Sequence, residues 1–252
     1  MDVATAVAAR AGLVHKDVPG GPFTLATWSR LTDPKAPLTV YIAGDGLAWL
    51  TVRQVSLDPT PTDPLALRLA ALDPAPNVVY VARPCQYQPP PGTIACASTY
   101  WTHRIFSPEV IRSTADVIRH FADETSGGVR LVGYSGGGAL AVLVAPLIPH
   151  LIDLRTVAGN IDTVAFVQHH DVTPYGESAN PADIAPQLKD LPQIHFIGAR
   201  DVIVPSLISR SYARHMGASR CLAIVPVLET GHEHGWVRAW PALLGRRPAC
   251  TP

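Results

Sequence analysis

The feature that most constrains the fold is a regular alternation of short apolar runs with longer segments of helical character. Residues 38–44 and 77–84 are rich in β-branched and aromatic residues, as strands buried on both faces are. Residues 107–125 repeat apolar positions at helical spacing, with Ser107 as a helix N-cap and Pro108 at the first helical position. This alternation predicts an α/β fold, with a mostly parallel central sheet and helices on both faces.

The same pattern extends along the chain. The predicted strands are 23–31, 38–44, 77–84, 129–134, 154–160, 193–199 and 221–228, and the predicted helices lie within 58–73, 107–125, 138–148, 206–216 and 235–245. The first strand alternates and is expected to be antiparallel. Residues 160–191 are rich in proline, asparagine and histidine, which predicts a short, irregular, cap-like insertion over the edge of the sheet. We expect residues 1–252 to form a single domain.

Composition excludes several classes of partner. Apolar residues make up 47% of the chain and charged residues 16%, which favours a large buried core over disorder. The formal net charge is zero and no dense run of lysine or arginine occurs, which argues against nucleic acid or an anionic membrane as the main partner. The longest apolar runs are shorter than the roughly 18 residues that a transmembrane helix needs.

The four cysteines bear on the compartment. Cys85 and Cys96 bracket a proline-rich loop, and Cys221 and Cys250 lie near the end of the sequence. This spacing favours two local disulfides, and hence an exported protein, over a zinc site, while four free thiols in a cytoplasmic protein remain the alternative. Residues 1–13 have an acidic residue, Asp2, directly after Met1 and lack a continuous apolar core, so export implies that the sequence starts after a cleavage site.

A serine among glycines stands at the junction of a predicted strand and a predicted helix. The stretch from Gly133 to Gly137 reads G-Y-S-G-G and matches the pattern G-x-S-x-G of a nucleophile elbow. In such an elbow the serine adopts a strained conformation, and the flanking glycines let the strand and the helix approach each other. Ser135 is therefore a candidate nucleophile, and a tight turn with a small residue is the alternative.

A nucleophilic serine needs a histidine base and a carboxylate that orients the base. Asp201 follows the predicted strand 193–199, where the alternative role is that of a turn or helix-capping residue. His232 and His234 both follow the strand 221–228, and His232 is favoured because it comes directly after Gly231 in the loop. The order is then Ser135, Asp201, His232.

In this order, "GYSGG", "GARDVIVP" and "TGHEHGW" resemble the α/β-hydrolase family from about residue 23 to residue 244. The resemblance implies an α/β-hydrolase fold and an oxyanion hole formed by backbone N–H groups of Asp45, Gly46 and Gly136. Many family members carry His-Gly or His-Gly-Gly-Gly at this loop, where residues 43–46 of this chain read A-G-D-G, and the Asp45 carboxylate would repel an oxyanion unless it is paired or points away. The stretches 41–50, 58–70 and 81–87 are most similar to exported bacterial members without an assigned substrate.

The resemblance and the triad together predict a serine hydrolase that cleaves a carboxylic ester through an acyl-enzyme intermediate. The alternatives are an amidase, thioesterase or acyltransferase with the same triad, or a non-catalytic binding protein on a hydrolase scaffold. No metal or cofactor is expected. Gly44, Tyr134, His169 and His234 are predicted to contact the substrate, a small-molecule or polymeric ester in a fairly open cleft.

Overall fold

The computed structural model describes residues 3–51, 53–88 and 96–250. The strands are β1 (Val14–Gly20), β2 (Phe23–Leu31), β3 (Leu38–Ile42), β4 (Trp49–Thr51), β5 (Gln54–Val55), β6 (Asn77–Val81), β7 (Val129–Tyr134), β8 (Leu151–Val157), β9 (Gln193–Gly198) and β10 (Leu222–Val227). The helices are α1 (Val3–Arg10), α2 (Leu65–Ala71), α3 (Pro108–Ala122), α4 (Gly136–Val144), α5 (Thr163–His170), α6 (Pro181–Ile184), α7 (Ser206–Met216) and α8 (Trp236–Leu244).

Within these residues, eight strands form one sheet in the order β1-β2-β6-β3-β7-β8-β9-β10. β2 is antiparallel to both of its neighbours, and all other pairs are parallel, as the sequence predicts. β4 and β5 form a separate hairpin. The strand order reverses at β3, which lies between β6 and β7. In open α/β sheets the crevice at such a reversal, beyond the carboxyl ends of the strands, is where ligands bind.

Side chains of the central strands alternate between two cores, one on each face of the sheet. On β3, Val40 and Ile42 pack in one core and Tyr41 in the other. Helices α3, α4, α6 and α7 cover the first core, while α1, α2 and α8 cover the second, where Trp236 and Trp240 are fully buried. Helices therefore lie on both faces, as predicted. Among the described residues, no helix is long and apolar enough to cross a membrane.

The prediction of irregular structure for residues 160–191 is wrong. This segment contains α5, α6 and a 3-10 turn. Three of its apolar side chains are buried in the core with side chains of α4 and α7, those of Ala182, Ala185 and Leu188. Pro181 does not interrupt a helix, since it occupies the first turn of α6, where its missing N–H costs nothing. The single domain over residues 1–252, with this segment as a cap, stays a prediction.

Both predicted disulfides are present. Cys85 is bonded to Cys96 and Cys221 to Cys250. The first bond lies just beyond the end of β6, at the edge of the sheet where β3 and β7 also end. The second joins the residue before β10 to the segment after α8. Each bond closes a loop and so restricts the unfolded chain.

Candidate active site

Ser135 stands alone between the end of β7 at Tyr134 and the start of α4 at Gly136. Its backbone has φ 52° and ψ −122°, a combination that costs free energy for a residue with a side chain and is found where the surrounding structure imposes it. The turn is tight enough to require glycine beside it. A Cβ atom on Gly133 would lie 2.2 Å from the carbonyl oxygen of Gly137. The sequence pattern thus has the backbone geometry of a nucleophile elbow.

Loops after β7, β9 and β10 bring Ser135, Asp201 and His232 together. His232 Nε2 lies 2.9 Å from Ser135 Oγ, and His232 Nδ1 lies 2.9 Å from Asp201 Oδ2. Because a carboxylate only accepts hydrogen bonds, Nδ1 carries the proton, and Nε2 of the neutral ring is left to accept from the serine hydroxyl. The arrangement can remove a proton from the hydroxyl and place it on a ring that a carboxylate stabilises.

The Asp201 carboxylate is fixed by backbone donors. Its Oδ1 accepts hydrogen bonds from the N–H groups of Ile203 at 2.9 Å and Val204 at 2.8 Å, which leaves Oδ2 for His232. The side chain is fully buried. These hydrogen bonds hold the carboxylate in one orientation, with Oδ2 towards the imidazole.

The loop that carries His232 is held by an indole. Trp236 Nε1 donates to the carbonyl oxygens of Gly231 at 2.9 Å and His232 at 3.0 Å, and the Tyr134 ring packs 5.5 Å from the imidazole. The N–H of Gly231 donates to the carbonyl oxygen of His234, which closes the turn. The His234 side chain is exposed and makes no contact with the triad among the described residues. The structure therefore places His232, and not His234, between serine and aspartate.

Two predicted substrate contacts, Tyr134 and Gly44, touch each other beside the triad. A Cβ atom on Gly44 would lie 2.9 Å from the Tyr134 ring, so the absence of a side chain lets the two strands' ends pack closely. Burial raises the pKa of the Tyr134 phenol, and the carboxylates of Glu233, Asp201 and Asp45 raise it further. The Tyr134 phenol therefore stays protonated and uncharged beside the triad, with several carboxylates nearby.

The predicted oxyanion hole has two parts, Gly136 at the start of α4 and the loop after β3 with Asp45 and Gly46. Gly136 is the first residue of α4, and no described residue accepts a hydrogen bond from its N–H, so a free donor lies at the positive end of the helix dipole. Asp45 lies directly against it, since a Cβ atom on Gly136 would come within 1.8 Å of Asp45 Oδ1. Gly46 has φ 67°, and a side chain there would collide with the Pro59 carbonyl oxygen at 2.1 Å.

Sequence reasoning missed Arg83, which pairs with Asp45. Arg83 Nη1 donates to Asp45 Oδ1 at 2.9 Å, Nη2 donates to the Ile105 carbonyl oxygen at 2.6 Å, and the guanidinium stands 5.2 Å over the Phe106 ring. The side chain is 5% exposed. Burial lowers the pKa of Arg83, and the Asp45 carboxylate acts in the opposite direction. Arg83 lies two residues beyond the end of β6, and it meets Asp45 because β6 pairs with β3, which the local sequence does not show.

Two histidines at the end of α5 lie in different surroundings. His169 is exposed and makes no contact with the triad among the described residues, whereas His170 Nε2 lies 2.7 Å from the Ile203 carbonyl oxygen in the loop after Asp201. Asn160, which was not predicted, is buried next to the elbow and donates its backbone N–H to the Ser135 carbonyl oxygen at 3.0 Å. A contact between His169 and substrate stays a prediction.

Comparison with known proteins identifies the fold. No family model and no curated protein matches the sequence. Solved structures match with TM-scores of 0.60 to 0.63: puromycin hydrolase (13% identity over 92% of this chain), an esterase of Pyrococcus furiosus (13% over 94%) and an α/β serine hydrolase homologue from Coxiella burnetii (14% over 92%). The chain spans 38% of puromycin hydrolase, but 89% and 95% of the other two.

At these identities the likeness concerns architecture. This chain superposes on hydrolases over more than nine tenths of its length. It has a sheet with an antiparallel edge, helices on both faces of the sheet and an elbow after β7. The resemblance noted in the sequence and the superposition rest on different observations, and they agree. The protein has the α/β-hydrolase fold.

Proposed function

We propose that this protein is a serine hydrolase that cleaves a carboxylic ester, with Ser135 as nucleophile, His232 as general base and acid, and Asp201 as the orienting carboxylate. The observation that carries the proposal is the pair of 2.9 Å contacts that His232 makes with the other two side chains. The strained backbone of Ser135 supports it, because such strain persists where function requires an exposed nucleophile.

In the acylation step, Ser135 Oγ attacks the ester carbonyl carbon while its proton moves to His232 Nε2. The negative charge that develops on the carbonyl oxygen is stabilised by backbone N–H groups at Gly136 and at the loop of Asp45 and Gly46. Asp201 stabilises the imidazolium. When the tetrahedral intermediate collapses, the C–O bond to the alcohol breaks, and Nε2 returns its proton to the departing alkoxide oxygen.

In the deacylation step, a water molecule takes the place of the alcohol. His232 Nε2 accepts a proton from the water as its oxygen attacks the acyl-enzyme carbonyl carbon, and the same backbone donors stabilise the second oxyanion. Collapse breaks the bond to Ser135 Oγ, which regains its proton from Nε2. The products are a carboxylic acid and an alcohol, and the side chains return to their starting protonation states.

Labelling with a fluorophosphonate tests the proposal. The reagent phosphonylates activated serines, and peptide mass spectrometry identifies the modified residue. We expect modification of Ser135 and turnover of p-nitrophenyl esters, with both lost in Ser135→Ala although the variant keeps the wild-type melting temperature. Modification of a different serine, or ester turnover that survives in Ser135→Ala, would refute the assignment.

The compartment is part of the proposal. Two disulfides are stable in oxidising compartments, which supports a periplasmic or secreted location. Cell fractionation followed by thiol counting without reduction tests it. Protein recovered from the cytoplasm with four free thiols would contradict export.

A further inference from the structure

A carboxylate stands where the proposed reaction develops negative charge. Asp45 belongs to the loop whose backbone would stabilise the oxyanion, and its Oδ1 would lie 1.8 Å from a Cβ atom added to Gly136. The Asp45 side chain is 28% exposed, so it is only partly screened by water. An unpaired carboxylate at this position would oppose the charge that Gly136 is placed to stabilise.

Arg83 is the group that removes this conflict. Its guanidinium bridges Asp45 Oδ1 and the carbonyl oxygen of Ile105, and the ring of Phe106 lies against its face. These contacts hold it in one orientation, because each fixes a different part of the fork. Among the described residues, Asp45 forms an ion pair with Arg83 alone.

Gln86 holds the same loop from its backbone. Its Nε2 donates to the Gly44 carbonyl oxygen at 3.0 Å, and its Oε1 accepts from the Arg83 N–H at 3.1 Å. The side chain is completely buried. Arg83 and Gln86 therefore bind both the side chain and the main chain of the segment from Gly44 to Gly46, and a disulfide at Cys85 lies between them.

We propose that Arg83 is a positioning residue for the oxyanion hole, which both fixes the loop of Gly44 to Gly46 and cancels the charge of Asp45 beside Gly136. The inference rests on the proposed function, since it assigns a task to residues around Ser135. It accounts for a carboxylate in this loop, because Asp45 anchors the loop to Arg83 while Arg83 keeps the carboxylate from repelling the oxyanion.

A double-mutant cycle tests the inference. The variants are Arg83→Met, Asp45→Asn and the double variant, with Arg83→Lys as the conservative change. The control is Arg104→Met, which removes a more exposed arginine that stacks on Tyr100 and forms ion pairs with Glu109 and Glu177 instead of Asp45. Measured are the rate constant of Ser135 phosphonylation by the fluorophosphonate, kcat and KM for a p-nitrophenyl ester, and the melting temperature.

We expect Arg83→Met to lower kcat and the labelling rate by about 10² to 10³, the range seen when an oxyanion donor is lost, with KM within about threefold of wild type. Adding Asp45→Asn should restore at least about tenfold of the rate, because the unpaired charge is gone. Arg83→Lys keeps the charge but not the fork, so it should react at least about tenfold faster than Arg83→Met, and the Arg104→Met control should label like wild type.

Three results would overturn the inference. The first is a folded double variant that reacts as slowly as Arg83→Met, since Arg83 would then act on something other than the charge of Asp45. The second is a folded Arg83→Lys variant that reacts as slowly as Arg83→Met. If Arg83→Met does not fold, the rate of Arg83→Lys is compared with the rate of the double variant instead. The third is wild-type protein that resists labelling at Ser135, which refutes the proposed function first and the inference with it.

Discussion

His195 makes the stability of this fold depend on pH. It lies inside β9, is completely buried, and its ring packs edge-on against Tyr212 at 5.2 Å. Nδ1 lies 2.8 Å from Thr156 Oγ1 on the neighbouring strand, while Nε2 has no hydrogen-bond partner among the described residues. Burial lowers the pKa of His195 from 6.5 to about 3, because the imidazolium would lose its hydration inside the protein.

The sign of the effect follows from which state binds the proton. Between the native pKa of about 3 and the unfolded value of 6.5, the unfolded chain protonates His195 and the native protein does not. The free energy of unfolding therefore falls as the pH drops through this window and is fully retained above it. At 1.36 kcal/mol for each pKa unit, the loss reaches about 3 kcal/mol between about pH 6.5 and 4.5, a large part of the stability of an ordinary domain.

The assay is urea unfolding of wild type and His195→Asn at several pH values. The asparagine can keep a hydrogen bond to Thr156 and does not titrate, so its stability relative to wild type should rise by about 3 kcal/mol on acidification over that range. His103→Asn, at an exposed histidine, is the matched control and should follow wild type. A difference between wild type and His195→Asn that stays constant with pH would refute the reasoning.

Three further predictions concern the triad and the second disulfide. Asp201→Asn should lower kcat by about 10⁴, because the amide favours the wrong tautomer of His232, and wild-type activity in this variant would place the acid elsewhere. His234→Ala should keep fluorophosphonate labelling while His232→Ala loses it, and the reverse result would mean that the loop in solution presents the other ring. Cys221→Ser should lower the free energy of unfolding by about 3 kcal/mol through loss of the bond to Cys250, and an unchanged denaturation midpoint would show that the bond is absent or without effect.

Much of the sheet could be predicted from the sequence, because buried strands show themselves in composition. β3, β6 and β9 are buried at every position and are correspondingly apolar. β1 escaped prediction because it is a polar edge strand: of its residues Val14–Gly20, only Val18 and Gly20 are buried. Periodicity reports burial, so a strand that is exposed on most of its length leaves no clear pattern.

The sequence predicts those residues of the candidate site that belong to a local motif or directly follow a recognisable strand. Ser135 lies in a glycine pattern typical of a nucleophile elbow, and Asp201 and His232 follow strands that the sequence indicates. Arg83 and Asn160 were missed because their roles depend on which strands are neighbours. Nothing within the segment around Arg83 shows that β6 pairs with β3, and that pairing is what brings the guanidinium to Asp45.

Strand register explains why Asp45 lies next to Gly136 and why the loops of Asp201 and His232 lie side by side. In the parallel pair β3 and β7, Ile42 is opposite Gly133, so the residues three positions further along, Asp45 and Gly136, come to the same level above the sheet. In β9 and β10, Gly198 is opposite Val227, which brings the loops of the proposed acid and base to one level in the same way. The carboxyl ends of parallel strands meet at one edge of the sheet. A shift of either register by one residue would turn every side chain of the shifted strand to the opposite face of the sheet, and it would move these partners apart. The geometry around Ser135 is therefore a property of the buried sheet as much as of the loops, and substitutions that repack β3 or β7 should impair the site without touching it.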